Sequence, residues 1–361
     1  MNKKEKILIF YSGSLGDQLI MVPVFGAIRN AHPDSEITLL NIHDSNNAFT
    51  PAKIIENTDL IDHLKIWSHK KVKILRKFRF LLFFCRPFLT RYKVIYYCGR
   101  DGALFAKRSQ RDSAFLKAYS PGAIIRGTVK IHDFEDRKKM MPRISEIVLS
   151  RLNHDGLEPQ LSEAKNELSL TAPEKAAAAK HFAEIKIPPG TIPLAVGPGG
   201  KKSVCRYPVE KYIEILQRLI KENNIFPVFF GGREDDSDIT KMSAALGDGH
   251  SARADRLQCD LRTTIALLNH FPLYLGNDTG TLHMAAAAQV TCIIISSAHN
   301  NPGLWTPHGN MHIMLRSNPD CSGCREKNCP IATPPPCLLQ ISVDTVLEAV
   351  RTKLNELRES V

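Results

Sequence analysis

At 361 residues the chain is long enough for two domains of about 150 residues each, and 43% hydrophobic with 24% charged residues excludes a disordered polypeptide. Lys plus Arg number 48 against 37 Asp plus Glu, a net charge of +11, which points to an anionic partner: nucleic acid, a membrane surface or a phosphorylated substrate. Nine cysteines, five of them without pattern (Cys85, Cys98, Cys205, Cys259, Cys292), argue against a secreted disulfide scaffold and for a reducing cytosol.

The N-terminus has the basic-then-apolar start of a signal peptide, but Gly13, Gly16 and Asp17 interrupt the apolar run and no small-residue cleavage site follows. No stretch reaches the roughly 20 apolar residues of a bilayer span, so the expectation is a soluble protein or one resting on a membrane. Lys6 to Tyr11 is a short apolar run suited to a buried parallel strand, residues 12–17 form a glycine-containing turn, and Gln18 to Ala31 has helical apolar spacing that stops at His32-Pro33. Glu36 to Leu40 and Val94 to Tyr97 read as further strands.

A polar helical stretch over Ala172 to Ile187 and the turn Pro188-Pro189-Gly190 open a second block. Its expected strands are Ile192 to Val196, Phe226 to Phe230, Leu273 to Leu275 and Thr291 to Ile295. The helices between them are Val209 to Glu222, Ile239 to Leu246, Leu261 to Asn269 and Thr279 to Ala288. Alternating strands and helices imply two doubly wound α/β domains with a boundary in the 155–190 region, placed as 1–170 and 171–342, followed by a terminal helix in 343–361.

Between Lys65 and Lys93 lie ten Lys or Arg and no Asp or Glu, interleaved with Trp67, Phe78, Phe80, Phe83, Phe84 and Phe88. Such a stretch suits the headgroup level of an anionic membrane. A core helix with a solvated basic face and a single-stranded nucleic-acid groove are the other readings, and the membrane is the one adopted here.

Three loops carry candidate chemistry. Ser14-Leu15-Gly16-Asp17 follows the first strand and places Asp17 at a crevice edge, or at the N-cap of the next helix. The loop from Gly197 to Pro208 holds Gly199, Gly200, Lys201, Lys202 and Arg206 ahead of a helix. Backbone donors and cations there make a diphosphate cradle, without the G-K-[ST] of a hydrolytic nucleotide loop. Leu275 to Ala287 ends a strand and starts a small-residue helix with Asp278, Thr279, Gly280 and His283 at its head, a phosphate site by dipole, hydroxyl and imidazole. Glu234, just past a strand, suits ribose hydroxyls, although Asp235 and Asp236 are placed alike. Cys321, Cys324, Cys329 and Cys337 form a compact cluster open to zinc, disulfides or free thiols.

Together these pieces resemble the lipopolysaccharide heptosyltransferase family, glycosyltransferase family 9, over most of the chain. The resemblance rests on Leu15-Gly16-Asp17, Tyr92-Lys93-Val94-Ile95, Gly197-Pro198-Gly199, Arg206-Tyr207-Pro208, Gly231-Gly232, Gly276 to His283, and the cysteine cluster ending in Cys337-Leu338. It implies the GT-B fold, two Rossmann-like doubly wound domains facing a cleft, with the acceptor on the N-terminal side and the nucleotide sugar on the C-terminal side. It implies inverting transfer without metal or cofactor, typically from ADP-heptose to the lipopolysaccharide core at the cytoplasmic face of the inner membrane, and no nucleic-acid partner.

By that resemblance Asp17 matches the base, with Ser14 and Gly16 on the acceptor-side loop. Gly199, Gly200, Arg206, Asp278, Thr279, Gly280 and His283 match the diphosphate site, and Glu234 the ribose acid. Two departures stand out. The family's Lys-Arg-Trp-Pro is here Cys205-Arg206-Tyr207-Pro208, leaving Lys201 or Lys202 to supply the missing cation, and an Asp in its Val-Ile-Asp strand is here Tyr96. Two rivals remain: a GT-B enzyme using another donor or epimerase chemistry, and a non-catalytic membrane-surface binder.

Overall fold

A computed structural model describes residues 4–43, 50–68, 91–99, 105–130, 136–156, 168–309 and 311–359. The chain divides into two compact units, one of residues 1–136 and 142–169, the other of residues 137–141 and 170–361.

The first unit is built on a parallel sheet. Its strands are β1 (Lys6–Tyr11), β2 (Glu36–His43), β3 (His63–Ser68), β4 (Val94–Tyr97) and β5 (Ile124–Arg126), in the order β3-β2-β1-β4-β5. The unbroken apolar run of β1 is what a strand covered on both faces requires. On one face Leu8 and Phe10 pack with Ile95, Tyr97, Leu116 and Tyr119; on the other, Tyr11 meets Phe25 edge-on.

The single helix expected over Gln18 to Ala31 is two, α1 (Leu15–Ile20) and α2 (Val22–Ala31). Pro23 cannot donate to the Leu19 carbonyl, and its ring crowds that position, so the chain breaks at Met21. Two further helices among the described residues of this unit are α3 (Phe105–Tyr119) and α4 (Ile144–His154).

The basic segment needs a correction at its start. Lys65 and Trp67 lie in β3, paired parallel with β2, so the segment begins as a strand and not as the core helix of the alternative reading. Lys65 reaches Tyr92, donating to its hydroxyl at 3.1 Å with the ammonium 5.7 Å from the ring centre. Residues 69–90, which carry most of the membrane expectation, lie outside the described residues.

The second unit begins with α5 (Ala172–Glu184) and runs through β6 (Ile192–Gly197), α6 (Val209–Asn223), β7 (Ile225–Phe229), α7 (Asp236–Leu246), β8 (Ala252–Arg253), α8 (Leu261–Leu268) and β9 (Leu273–Asn277). It finishes with α9 (Gly280–Ala287), β10 (Thr291–Ser296), β11 (Ile313–Arg316), α10 (Pro336–Leu339) and α11 (Val343–Glu359). The sheet order is β11-β10-β9-β6-β7-β8, all parallel. β6 comes first in the chain and sits in the middle, so the winding reverses between β6 and β9.

Local chemistry sets the element ends. The Glu174 carboxylate accepts the Thr171 N–H at 2.7 Å at the head of α5, and both Arg262 guanidinium contacts, at 2.6 and 3.0 Å, tie that turn to α8. Asn224 ends α6 in the left-handed region (φ 57°). The terminal helix α11 belongs to this core, its Val346, Leu347, Val350 and Leu354 packing with Ile215, Leu216 and Leu219 of α6 and with Ile293 of β10.

Candidate active site

In the first unit, the turn after β1 is built around Asp17. Ser14 is the N-cap of α1 and Asp17 its third residue, so Asp17 does not occupy the N-cap itself. It serves the cap all the same, since its carboxylate accepts the Ser14 N–H at 2.5 Å and its side chain is buried, with the residue 6% exposed. Tyr11 donates to the Asp17 carbonyl at 3.0 Å. A β-carbon at Gly13 would collide with the Asp17 side chain, which is why glycine stands there. Gly16 is buried in α1, and Ser14 is exposed at its head.

In the second unit, the carboxyl ends of β6, β9, β10 and β11 converge on the point where the winding reverses, the place where open α/β sheets bind ligands. Gly197 and Gly276 pair there across β6 and β9. A β-carbon on either would strike the Tyr274 hydroxyl, a buried group with no hydrogen-bond partner among the described residues. Asn277, fully buried, donates to the Pro198 and Gly199 carbonyls at 2.6 and 3.2 Å and accepts from the Tyr212 hydroxyl at 3.0 Å. The glycine loop is thereby fastened to β9.

Arg206 has a different position from the one expected of a phosphate ligand. Its guanidinium donates to Asp235 at 2.7 Å, to Asp238 at 2.9 Å and to the Gly200 and Glu234 carbonyls at 2.8 and 3.2 Å. Two carboxylates on one guanidinium leave no surplus positive charge, so Arg206 pins the loop against the turn after β7. Gly199 lies so close to Asp235 that a β-carbon would overlap its carboxylate. Gly200 is buried beside Arg206 and Lys201 is exposed. Glu234 is exposed on the turn over Arg233–Asp235, while Asp235, which the sequence left equivalent, is the buried acid that holds Arg206 and accepts the Gly232 N–H at 2.9 Å.

The head of α9 is arranged differently. Thr279 is its N-cap, yet its hydroxyl is buried without a partner among the described residues, where a capping hydroxyl ordinarily accepts a helix N–H. Gly280 opens the helix and His283 sits one turn in, its Nε2 3.9 Å from Asp278. Burial raises the Asp278 carboxyl to about 6 against the lowering by the Ser296 hydroxyl, Lys202 and Arg316.

From the loop after β10 comes His299, 5% exposed. Its Nε2 lies 3.1 Å from the Lys202 ammonium and its Nδ1 2.8 Å from the Ser297 hydroxyl, with the Cys205 thiol at 3.8 Å. Burial, then the Lys202 and Arg316 charges, lower the imidazole to about 4. Arg316, the last residue of β11, secures this loop through the Ser297 and Asn300 carbonyls, both at 2.9 Å, and the Ser322 hydroxyl at 2.7 Å.

The profile of glycosyltransferase family 9 (heptosyltransferase) matches residues 113–333, more than half of the chain. The chain belongs to this family. No curated protein matches it in sequence. Among solved structures, the family 9 glycosyl transferase of Veillonella parvula superposes with a TM-score of 0.75 at 17% identity over 99% of each chain. The E. coli ADP-heptose LPS heptosyltransferase II gives 0.68 at 16% identity, covering 99% of this chain and 100% of its own. E. coli heptosyltransferase WaaC with ADP-2-deoxy-2-fluoro heptose gives 0.58 at 14%, covering 96% and 99%. These likenesses establish the GT-B fold for this family 9 glycosyltransferase.

The family match spans the whole strand-end constellation of the second unit but stops short of Asp17 on its N-terminal side. In this glycosyltransferase the eight described cysteines are free, and among the described residues no group of three or more His, Cys, Asp or Glu is arranged to hold a metal ion. Tyr274, Ser297, His299 and Arg316 were not singled out from the sequence. His299 and Arg316 lie outside the three loops that carry the candidate chemistry, and only the return of β10 and β11 to the same sheet edge brings them in.

Proposed function

We propose that this chain is an inverting transferase that moves a heptose from ADP-heptose onto a glycolipid of the lipopolysaccharide-core type. In this reading residues 171–342 bind the nucleotide sugar, residues 1–170 receive the acceptor, and 343–361 is a structural helix. The observation that carries it is the unpartnered, buried Thr279 hydroxyl at the N-terminus of an eight-residue helix at the sheet's reversal point. A phosphate oxygen supplies the partner that hydroxyl lacks and meets the positive end of the helix dipole. Membership of family 9 and the ADP-heptose or ADP-heptose analogue named for two E. coli relatives favour ADP-heptose as donor.

The reaction is a displacement at the anomeric carbon. An acceptor hydroxyl oxygen forms the new bond, the bond to the diphosphate oxygen breaks with its electron pair, and the configuration inverts. Asp17 takes the hydroxyl proton; one of its oxygens accepts the Ser14 N–H, and a carboxylate has acceptor capacity for more than one partner. The charge gathering on the leaving diphosphate is met by the amides of Gly280 and Thr281, the Thr279 hydroxyl, Lys201 and Lys202, with His283 beside them. Glu234, exposed at the end of β7, is assigned to the ribose. The cations of residues 65–93 suit an anionic membrane surface and support a location at the leaflet that would carry the acceptor. No described helix is long and apolar enough to cross a membrane.

The test is a titration of ADP, UDP and GDP into the full-length protein, followed by product identification with ADP-heptose and a lipopolysaccharide-core acceptor. ADP is expected to bind tightest, and Asp17→Ala to lower turnover by about 10²–10⁴-fold with ADP affinity kept. Absence of binding by all three nucleotides, or undiminished turnover in Asp17→Ala, defeats the proposal.

A further inference from the structure

Of the three cations on the glycine loop after β6, Lys201 is exposed, and the protein treats the other two in opposite ways. Arg206 is bracketed by the Asp235 and Asp238 carboxylates. Lys202 forms no ion pair among the described residues, and the atom that receives its ammonium is an imidazole nitrogen, Nε2 of His299, at 3.1 Å. A carboxylate in that place would fix the lysine and cancel its charge. A neutral imidazole fixes it and leaves the charge whole, because it accepts one N–H and carries none of its own.

The imidazole is itself held. Its Nδ1 lies 2.8 Å from the Ser297 hydroxyl, so the proton sits on Nδ1 and donates to that oxygen, leaving Nε2 as the acceptor. The backbone beneath is locked, with the Arg325 N–H donating to the His299 carbonyl at 2.7 Å and Arg316 donating to the carbonyls on either side. Burial keeps the ring neutral at physiological pH. The Cys205 thiol, 3.8 Å from the ring, is equally uncharged, its ionisation pushed up to about 11 by burial. Every group within hydrogen-bonding distance of the Lys202–His299 pair is thus uncharged, and the charges that act on it, those of the Asp278 carboxyl and the Arg316 guanidinium, do so from beyond that distance.

We infer that His299 is a positioning residue which, oriented by Ser297, holds Lys202, a cation in no ion pair among the described residues, for the leaving diphosphate of the donor. The inference rests on the donor site proposed above and extends it to a loop outside every motif of the chain. Lys202 thereby supplies the charge absent at Cys205 and neutralised at Arg206. His299 acts through Lys202 and touches no substrate.

A double-mutant cycle on ADP affinity, measured by isothermal titration on the full chain, tests it. Lys202→Met removes a charge-assisted contact and is expected to weaken ADP about tenfold or more. His299→Leu is expected to weaken it about fivefold, and to add nothing further in the Lys202→Met background, the mark of residues acting as one. His299→Gln, whose amide oxygen can accept the ammonium, restores affinity to within about twofold of the parent. Should His299→Leu fail to fold, His299→Phe fills the same space without an acceptor and takes its part in the cycle. Additive losses in the double variant, or failure of the Gln variant to rescue while it melts like the parent, overturn the inference. Absence of binding of ADP, UDP and GDP by the parent overturns the donor site itself, a separate outcome from an additive cycle in a protein that binds.

Discussion

At the scale of single residues, the strand-end edge of the second unit sets two titrating groups against each other. The Asp278 carboxyl is raised to about 6 in the fold by burial, so the native state holds its proton over a window where the unfolded chain has released it. Stability from this group is therefore present at low pH and is lost as pH rises from about 4 to about 6. His299, lowered to about 4 by burial and by Lys202 and Arg316, does the reverse. The unfolded chain binds the proton first, and stability falls as pH drops from about 6.5 to about 4.

The two slopes nearly offset each other in the parent protein, and single variants uncover them. Asp278→Asn is expected to exceed the parent in stability by about 1–3 kcal/mol above pH 6, with the gap closing toward pH 4. His299→Gln is expected to gain on the parent by a similar amount as pH falls from about 6.5 to about 4. Urea unfolding at a series of pH values measures both, and variant curves parallel to the parent's would contradict the buried states assigned here.

At the scale of elements, close packing at the strand ends dictates composition. Gly197 and Gly276 face the same Tyr274 hydroxyl across paired strands, leaving no room for a side chain. Gly197→Ala is expected to cost about 1–3 kcal/mol, the range for forcing extra volume into a filled site. Tyr274→Phe should restore part of that loss by removing the atom nearest the new methyl, while Tyr274→Phe alone should be mild because the hydroxyl has no partner among the described residues. Thermal melts of the two single variants and the double decide it; a double variant no better than Gly197→Ala would place the clash elsewhere. The break between α1 and α2 follows the same logic of backbone constraint, since Pro23 forbids the continuous helix that the apolar spacing alone suggests.

At the scale of the whole molecule, α11 is part of the second core although it lies last in the chain. Leu347 is fully buried among residues of α6, β9 and β10. Leu347→Ala is expected to destabilise the second unit by about 2–5 kcal/mol, read as a lower unfolding midpoint, and no shift would mean that α11 is not seated there.

The division into two parallel α/β units was legible because buried parallel strands need continuous apolar runs. Lys6–Tyr11 and Val94–Tyr97 match the observed strands residue for residue. β3 was not, because Lys65 and the cations after it disguise a strand that satisfies its backbone through β2. Nor was the return of residues 137–141 to the second unit, where Met141 donates to the Pro302 carbonyl at 2.9 Å, since such a contact has no period to betray it.

The sequence by itself determined the α/β class, the glycine-rich strand ends and the Asp278–His283 helix head, since these follow from local backbone geometry and periodicity. Tertiary structure alone decided which cation near the glycine loop is ion-paired. Arg206 and Lys202 are near neighbours in the chain and equal in formal charge, but one folds against two carboxylates and the other against a neutral imidazole 97 residues away. Electrostatic strength depends on what lies within a few ångströms in space, and that distance is set by the sheet order rather than by the order of residues.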